Sequence, residues 1–105
     1  MLIVDLYVEQ GSTFHRNINL GTDITGYSVY CNIVDSVGST TLNVVSIDNA
    51  ANGDIDLDIT DLQTSAMSTG VAKYDIELTS SLGVVSKPVK GRIYVDGETT
   101  TWVIL

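Results

Sequence analysis

The chain has 105 residues, 44% apolar and 17% charged, which suits one domain around one core and argues against disorder. Thirteen acidic residues against five basic ones give a net charge of −8, which disfavours binding to a phosphate backbone. Cys31 and His15 are the only cysteine and histidine, so no internal disulfide can form and a zinc site is not expected.

Period-two alternation runs along most of the chain, the pattern of half-buried strands. Leu2, Val4, Leu6 and Val8 share one side of a first strand, with Ile3, Asp5, Tyr7 and Glu9 on the other. Its start, Met1-Leu2-Ile3-Val4-Asp5, lacks the basic segment of a secretion signal, and no run of about 18 apolar residues suggests a membrane span. Synthesis in the cytoplasm is therefore expected. A short second strand is predicted over 13–19, then a turn at Gly21–Gly26. The third strand runs from Tyr27 to about Asp35, with Tyr27, Val29, Cys31 and Ile33 inward. Val37-Gly38-Ser39 leads into a strand over Thr41–Ile47, and Asn52-Gly53 closes the following loop.

Ile55, Leu57 and Ile59 form the inner side of the next strand, whose other side is Asp54, Asp56 and Asp58. Residues 60–67 are the one helical candidate, with Thr60 as cap and Leu62 with Ala66 or Met67 as the apolar face. Ala72, Tyr74, Ile76 and Leu78 face inward on the strand after it. Leu82-Gly83 turns the chain into a strand over Val84–Val95, where Pro88 marks an edge position or a bulge. A last strand is predicted over Thr99–Leu105. The expected fold is all-β, an antiparallel β-sandwich of the Ig-like kind with seven to eight strands and one short helix near residues 60–67, as a single domain over 1–105.

The charge is uneven. Residues 1–61 hold nine acids and one base, Arg16, whereas the rest balances Asp75, Glu77, Asp96 and Glu98 against Lys73, Lys87, Lys90 and Arg92. Were the two halves kept on different faces, one side would be acidic and one mixed, and copies could meet head to tail.

Catalytic chemistry lacks parts. Asp54, Asp56 and Asp58 superficially suggest a calcium loop, but Ile59 and Ser65 stand where an EF-hand needs Gly and Glu. On a strand these carboxylates lie about 6.6–6.8 Å apart, too far for one ion to hold all three readily. They read as a solvated face, with a weak cation site as the alternative. His15 has no local nucleophile motif beside it and reads as a structural histidine, and Cys31 as a small core residue. The glycines form no phosphate loop. No catalytic, cofactor-binding or metal-binding residue is assigned, and no enzyme activity is expected.

The end of the chain is more informative. Val103 and Leu105 on one side, with Trp102 and Ile104 on the other, make the last strand apolar on both faces. Such a strand either runs through the middle of the fold or is covered by a neighbouring subunit. Trp102, Ile104 and Leu105, with Tyr7, Tyr30 and Tyr94 as outward aromatics, are the predicted interface residues.

A series of motifs carries a family resemblance. It begins with Glu9-Gln10-Gly11-Ser12-Thr13-Phe14 and Asp23-Ile24-Thr25-Gly26-Tyr27-Ser28-Val29. Gly53-x-Ile55-x-Leu57-x-Ile59 follows, with Thr64 and Met67 in the short helix. The most specific piece is Gly70-x-x-x-Tyr74-Asp75-Ile76-Glu77-Leu78, leading to Gly83-x-Val85-x-Lys87 and Gly91-x-Ile93-x-Val95. Over about residues 4–95 the chain resembles small β-sandwich virion proteins and attachment modules of tailed bacteriophages. It departs from them in adding Thr99–Leu105.

The resemblance implies a structural virion protein of the tail, baseplate or fibre attachment, made in the host cytoplasm. Its implied partners are other virion proteins and further copies of itself, with neither nucleic acid nor membrane. A capsid decoration or neck protein is the alternative within the same fold. A carbohydrate-binding module of a host-recognition fibre, stacking Tyr and Trp on sugar, is the alternative of another class.

Overall fold

The computed structural model describes residues 1–42 and 44–97. Among them are nine strands and one helix. In chain order these are β1 (Leu2–Ile3), β2 (Leu6–Glu9), β3 (Phe14–Asn19), β4 (Ser28–Val34), β5 (Thr40–Leu42), β6 (Val45–Asn49), β7 (Asp54–Ile59), α1 (Asp61–Ala66), β8 (Gly70–Thr79) and β9 (Val85–Asp96). Two sheets face each other across one core. The larger has the order β1-β9-β8-β4-β5 with β2 also on β9, and the smaller has the order β3-β7-β6. This is the sandwich expected from the alternation. Its strand order follows the immunoglobulin arrangement, with β3, β7 and β6 opposite a sheet led by β9, β8 and β4.

Alternation decides the core. Ile55, Leu57 and Ile59 of β7 and Ala72, Tyr74, Ile76 and Leu78 of β8 are all buried, as their spacing predicts. Leu6 and Val8 of β2, Cys31 and Ile33 of β4, and Val89, Ile93 and Val95 of β9 complete the large sheet's inner face. Full burial of one such aliphatic side chain contributes about 1.5–3 kcal/mol. Burial also pushes the Cys31 thiol up to about 12, so it is inert as a nucleophile and packs as a small apolar group.

Four expectations need correction. The sandwich is not wholly antiparallel: β1 and β2 both run parallel to β9. The predicted strand over Thr41–Ile47 is two strands, because β5 pairs with β4 in the large sheet and β6 with β7 in the small one. The chain changes sheets between them, where Val44 is buried and its carbonyl accepts from the Asp58 N–H (2.7 Å). Tyr27, expected inward, is exposed because it lies just before the start of β4.

The fourth correction concerns the helix. Thr60 caps it as expected, its hydroxyl accepting from the Gln63 N–H while the Gln63 side chain accepts from the Thr60 N–H. Leu62, however, is 78% exposed, and Thr64 is the buried residue of α1. Its hydroxyl donates to the Ser12 carbonyl (2.8 Å) and accepts from the Gly11 N–H (3.1 Å), pinning the helix to the β2–β3 turn. With six residues the helix has too few turns for an apolar stripe, and Met67, just beyond it, enters the core instead.

Local chemistry accounts for the joints. Pro88 lies at a bulge: Ile76 pairs with Val89 and Leu78 with Ser86, so Lys87 and Pro88 together oppose Glu77. Asp35 is nearly buried, and its carboxylate accepts from the backbone N–H groups of Val37, Ser39 and Ser68. These bonds, that from Ser68 foremost, hold its pKa below the ordinary value and tie the β4–β5 hairpin to the exit of α1.

The seam between β1 and β2 is the other unusual joint. Regular parallel pairing would have the Arg92 N–H donate to the Val4 carbonyl. That carbonyl instead accepts from the buried Tyr74 hydroxyl (2.5 Å), and the Asp5 carboxylate accepts from the Arg92 N–H (3.1 Å). Gly91 makes room for the displaced carbonyl, since a Cβ there would run into the Val4 backbone and the Tyr74 ring.

Candidate docking face

The outer face of the six-stranded sheet can be read as rows crossing the strands. Tyr7, Tyr94 and Val71 stand in one row, since Tyr7 pairs with Tyr94 and Tyr94 with Val71. Arg92, Lys73 and Val34 make the next. Ile3, Lys90, Asp75 and Asn32 make the third. Glu77 and Tyr30 follow on the far side, next to the bulge that carries Lys87.

The middle rows floor a shallow groove of about 790 Å³, which Met1, Asp5 and Lys87 also line. Four of the chain's five basic residues border it, against the two carboxylates Asp5 and Asp75. Lys87 reaches Asp75 (3.4 Å), an exposed pair worth little by itself. Among the described residues, Lys73, Lys90 and Arg92 form no ion pair. Lys73 and Arg92 sit directly opposite each other, an arrangement that costs stability in a sheet. Ile3 (71% exposed), Val71 and Val34 add exposed apolar surface around them.

The sequence-predicted interface residues divide. Tyr7, Tyr30 and Tyr94 all point outward from the large sheet, on the same face as the groove. Tyr7 (70% exposed) stacks on Tyr94, ring centres 5.2 Å apart and planes 16° from parallel. Tyr30 stands two strands away from that stack. Trp102, Ile104 and Leu105 lie outside the described residues. The uneven charge groups Lys73, Lys87, Lys90 and Arg92 only as the bases of a mixed side, and the structure gathers them into one groove. The alternate placement of Lys90 and Arg92 is visible in the sequence, but only the β8–β9 register sets Lys73 beside them.

The outer face of the small sheet is built differently. Asp54, Asp56 and Asp58 project from β7, and each has a partner directly across on β3: Asn19, Asn17 and His15. Asn19 donates to Asp54 Oδ1 (2.7 Å), Asn17 donates to Asp56 Oδ1 (2.9 Å), and His15 Nδ1 lies 2.6 Å from Asp58 Oδ1. That bond, followed by the charge of Asp58, raises the His15 pKa above its ordinary value. The expected solvated acidic face is present. Among the described residues no three His, Cys, Asp or Glu side chains converge as a metal would require.

Compared with known protein families and with curated proteins, the sequence matches none.

Proposed function

We propose that this chain is a structural component of a tailed-bacteriophage virion, an assembly or attachment protein of the tail, baseplate or fibre. On this reading it works by protein–protein contact and has no catalytic role. The outer face of the six-stranded sheet is its docking surface. The observation that carries the proposal is the gathering of three tyrosines and four of the five basic residues on that one face. Aromatic residues and arginine are enriched at the centres of protein interfaces, and a face that leaves like charges opposed is suited to a partner that neutralises them. The motif series of residues 4–95 supplies the virion part of the reading. Trp102, Ile104 and Leu105 belong to the proposed contact set on composition.

The test is localisation in particles. An antibody to the chain should detect it in gradient-purified virions from the producing culture, and gold labelling should mark the tail end. Label on the head would transfer the protein to capsid decoration. A chain found only in the unsedimented fraction would remove the virion reading.

A further inference from the structure

The groove, with four cations against Asp5 and Asp75, matches the acidic ladder in charge and in pitch, although Glu77, Glu9 and Asp96 lie farther out on the same sheet face. We propose that the groove of the six-stranded sheet receives the Asp54–Asp56–Asp58 ladder of a second copy, so that copies stack head to tail. Lys90 and Arg92 are alternate residues of β9, and the three aspartates are alternate residues of β7. Both sets repeat at about 6.6–6.8 Å, so cations of one strand can meet carboxylates of the other in register. Lys73, one strand across from Arg92, widens the positive strip. On the acidic side Oδ1 of each aspartate takes the cross-strand bond, and among the described residues Oδ2 takes none, which leaves it for a partner's cation.

The whole-molecule charge of −8 opposes association at a distance. At physiological salt the screening length is about 8 Å, so the repulsion between molecular centres fades while groups in contact still attract. The acidic face spans roughly 14 by 20 Å from strand spacing and rise, well below the area of a standard stable interface. Each contact is accordingly weak and salt-sensitive. Because groove and ladder are different patches, the contact is heterologous, and it propagates into a ring or a filament. This deepens the assembly reading. The two fail separately, since a chain that stays monomeric yet enters particles refutes only the stacking.

Sedimentation equilibrium with charge swaps tests it. At physiological salt the wild-type mass should climb with concentration, and it should fall back to the monomer in about 1 M salt, where the screening length is about 3 Å. K73E/R92E turns the groove acidic like the ladder, and D56K/D58K turns two rungs of the ladder basic like the groove, so each variant alone should be monomeric. Mixed in equal amounts they should associate, because each face again meets its opposite. A wild type that stays monomeric up to about 1 mM overturns the proposal, as does a reversed variant that associates like wild type or a mixture that does not. Where a variant fails to fold, wild-type amide shifts decide. Concentration-dependent shifts on both β9 and β7 support stacking, and shifts on one face alone or on neither overturn it. Binding of a poly-glutamate peptide in the groove without self-association also overturns it.

Discussion

The outer faces of the two sheets use the same alternation to opposite ends. On the small sheet every carboxylate of β7 has a donor directly across from it on β3, so the acidic ladder is satisfied within the chain. On the large sheet Lys73 faces Arg92, and Ile3, Val34 and Val71 stand exposed around them. On one face each carboxylate meets a donor across the strand, whereas on the other Lys73 meets Arg92, a like charge, although Lys90 does face Asp75. The difference separates a row of carboxylates held in place within the chain from a groove whose cations are only partly matched, although both follow one strand pattern.

Four changes probe that contrast, the largest expected effect first. Gly91→Ala puts a methyl group against the Val4 backbone and the Tyr74 ring, and should destabilise the large sheet by about 1–3 kcal/mol in urea unfolding. Tyr74→Phe removes the donor to the Val4 carbonyl and should cost about 1 kcal/mol in the same assay. Lys73→Glu turns the like-charge pair with Arg92 into an opposite one, and should raise stability by about 0.2–1 kcal/mol while weakening self-association. A docking face should show this opposition between stability and binding, and a merely solvated face should not.

The smallest effect belongs to the acidic face. The His15 pKa is raised in the folded chain, so its bond to Asp58 contributes stability that is fully present below the unfolded value of 6.5. That contribution is lost as pH rises through the higher folded value. The stability difference between wild type and His15→Gln should therefore be larger at pH 6 than at pH 9, measured by thermal unfolding at each pH.

Much of the fold was legible because burial follows a period of two. Ile55, Leu57 and Ile59, and the inward set of β8, could be read without knowing what they pack against. Thr60 and the Asn52-Gly53 turn are local chemistry and were legible for the same reason. Pairing between distant segments leaves no such local mark. Nothing near Leu6–Glu9 announces a parallel partner at Ile93–Asp96, and nothing near Thr41–Ile47 announces that the segment divides between sheets. Leu62 departs from its expected side because an apolar residue on so short a helix need not find a core, whereas the Thr64 hydroxyl binds two backbone groups. The basic groove stayed hidden for the first reason: it exists only once β8 and β9 are in register.

Amine footprinting tests the docking face most directly. The chain's three lysines, Lys73, Lys87 and Lys90, all border the groove, so acetylation followed by mass spectrometry reports on that surface in a single experiment. Compared with the dilute chain, the protein in purified particles should show strong protection of all three lysines. Equal labelling in both states would contradict the assignment of this face as the surface through which the protein assembles.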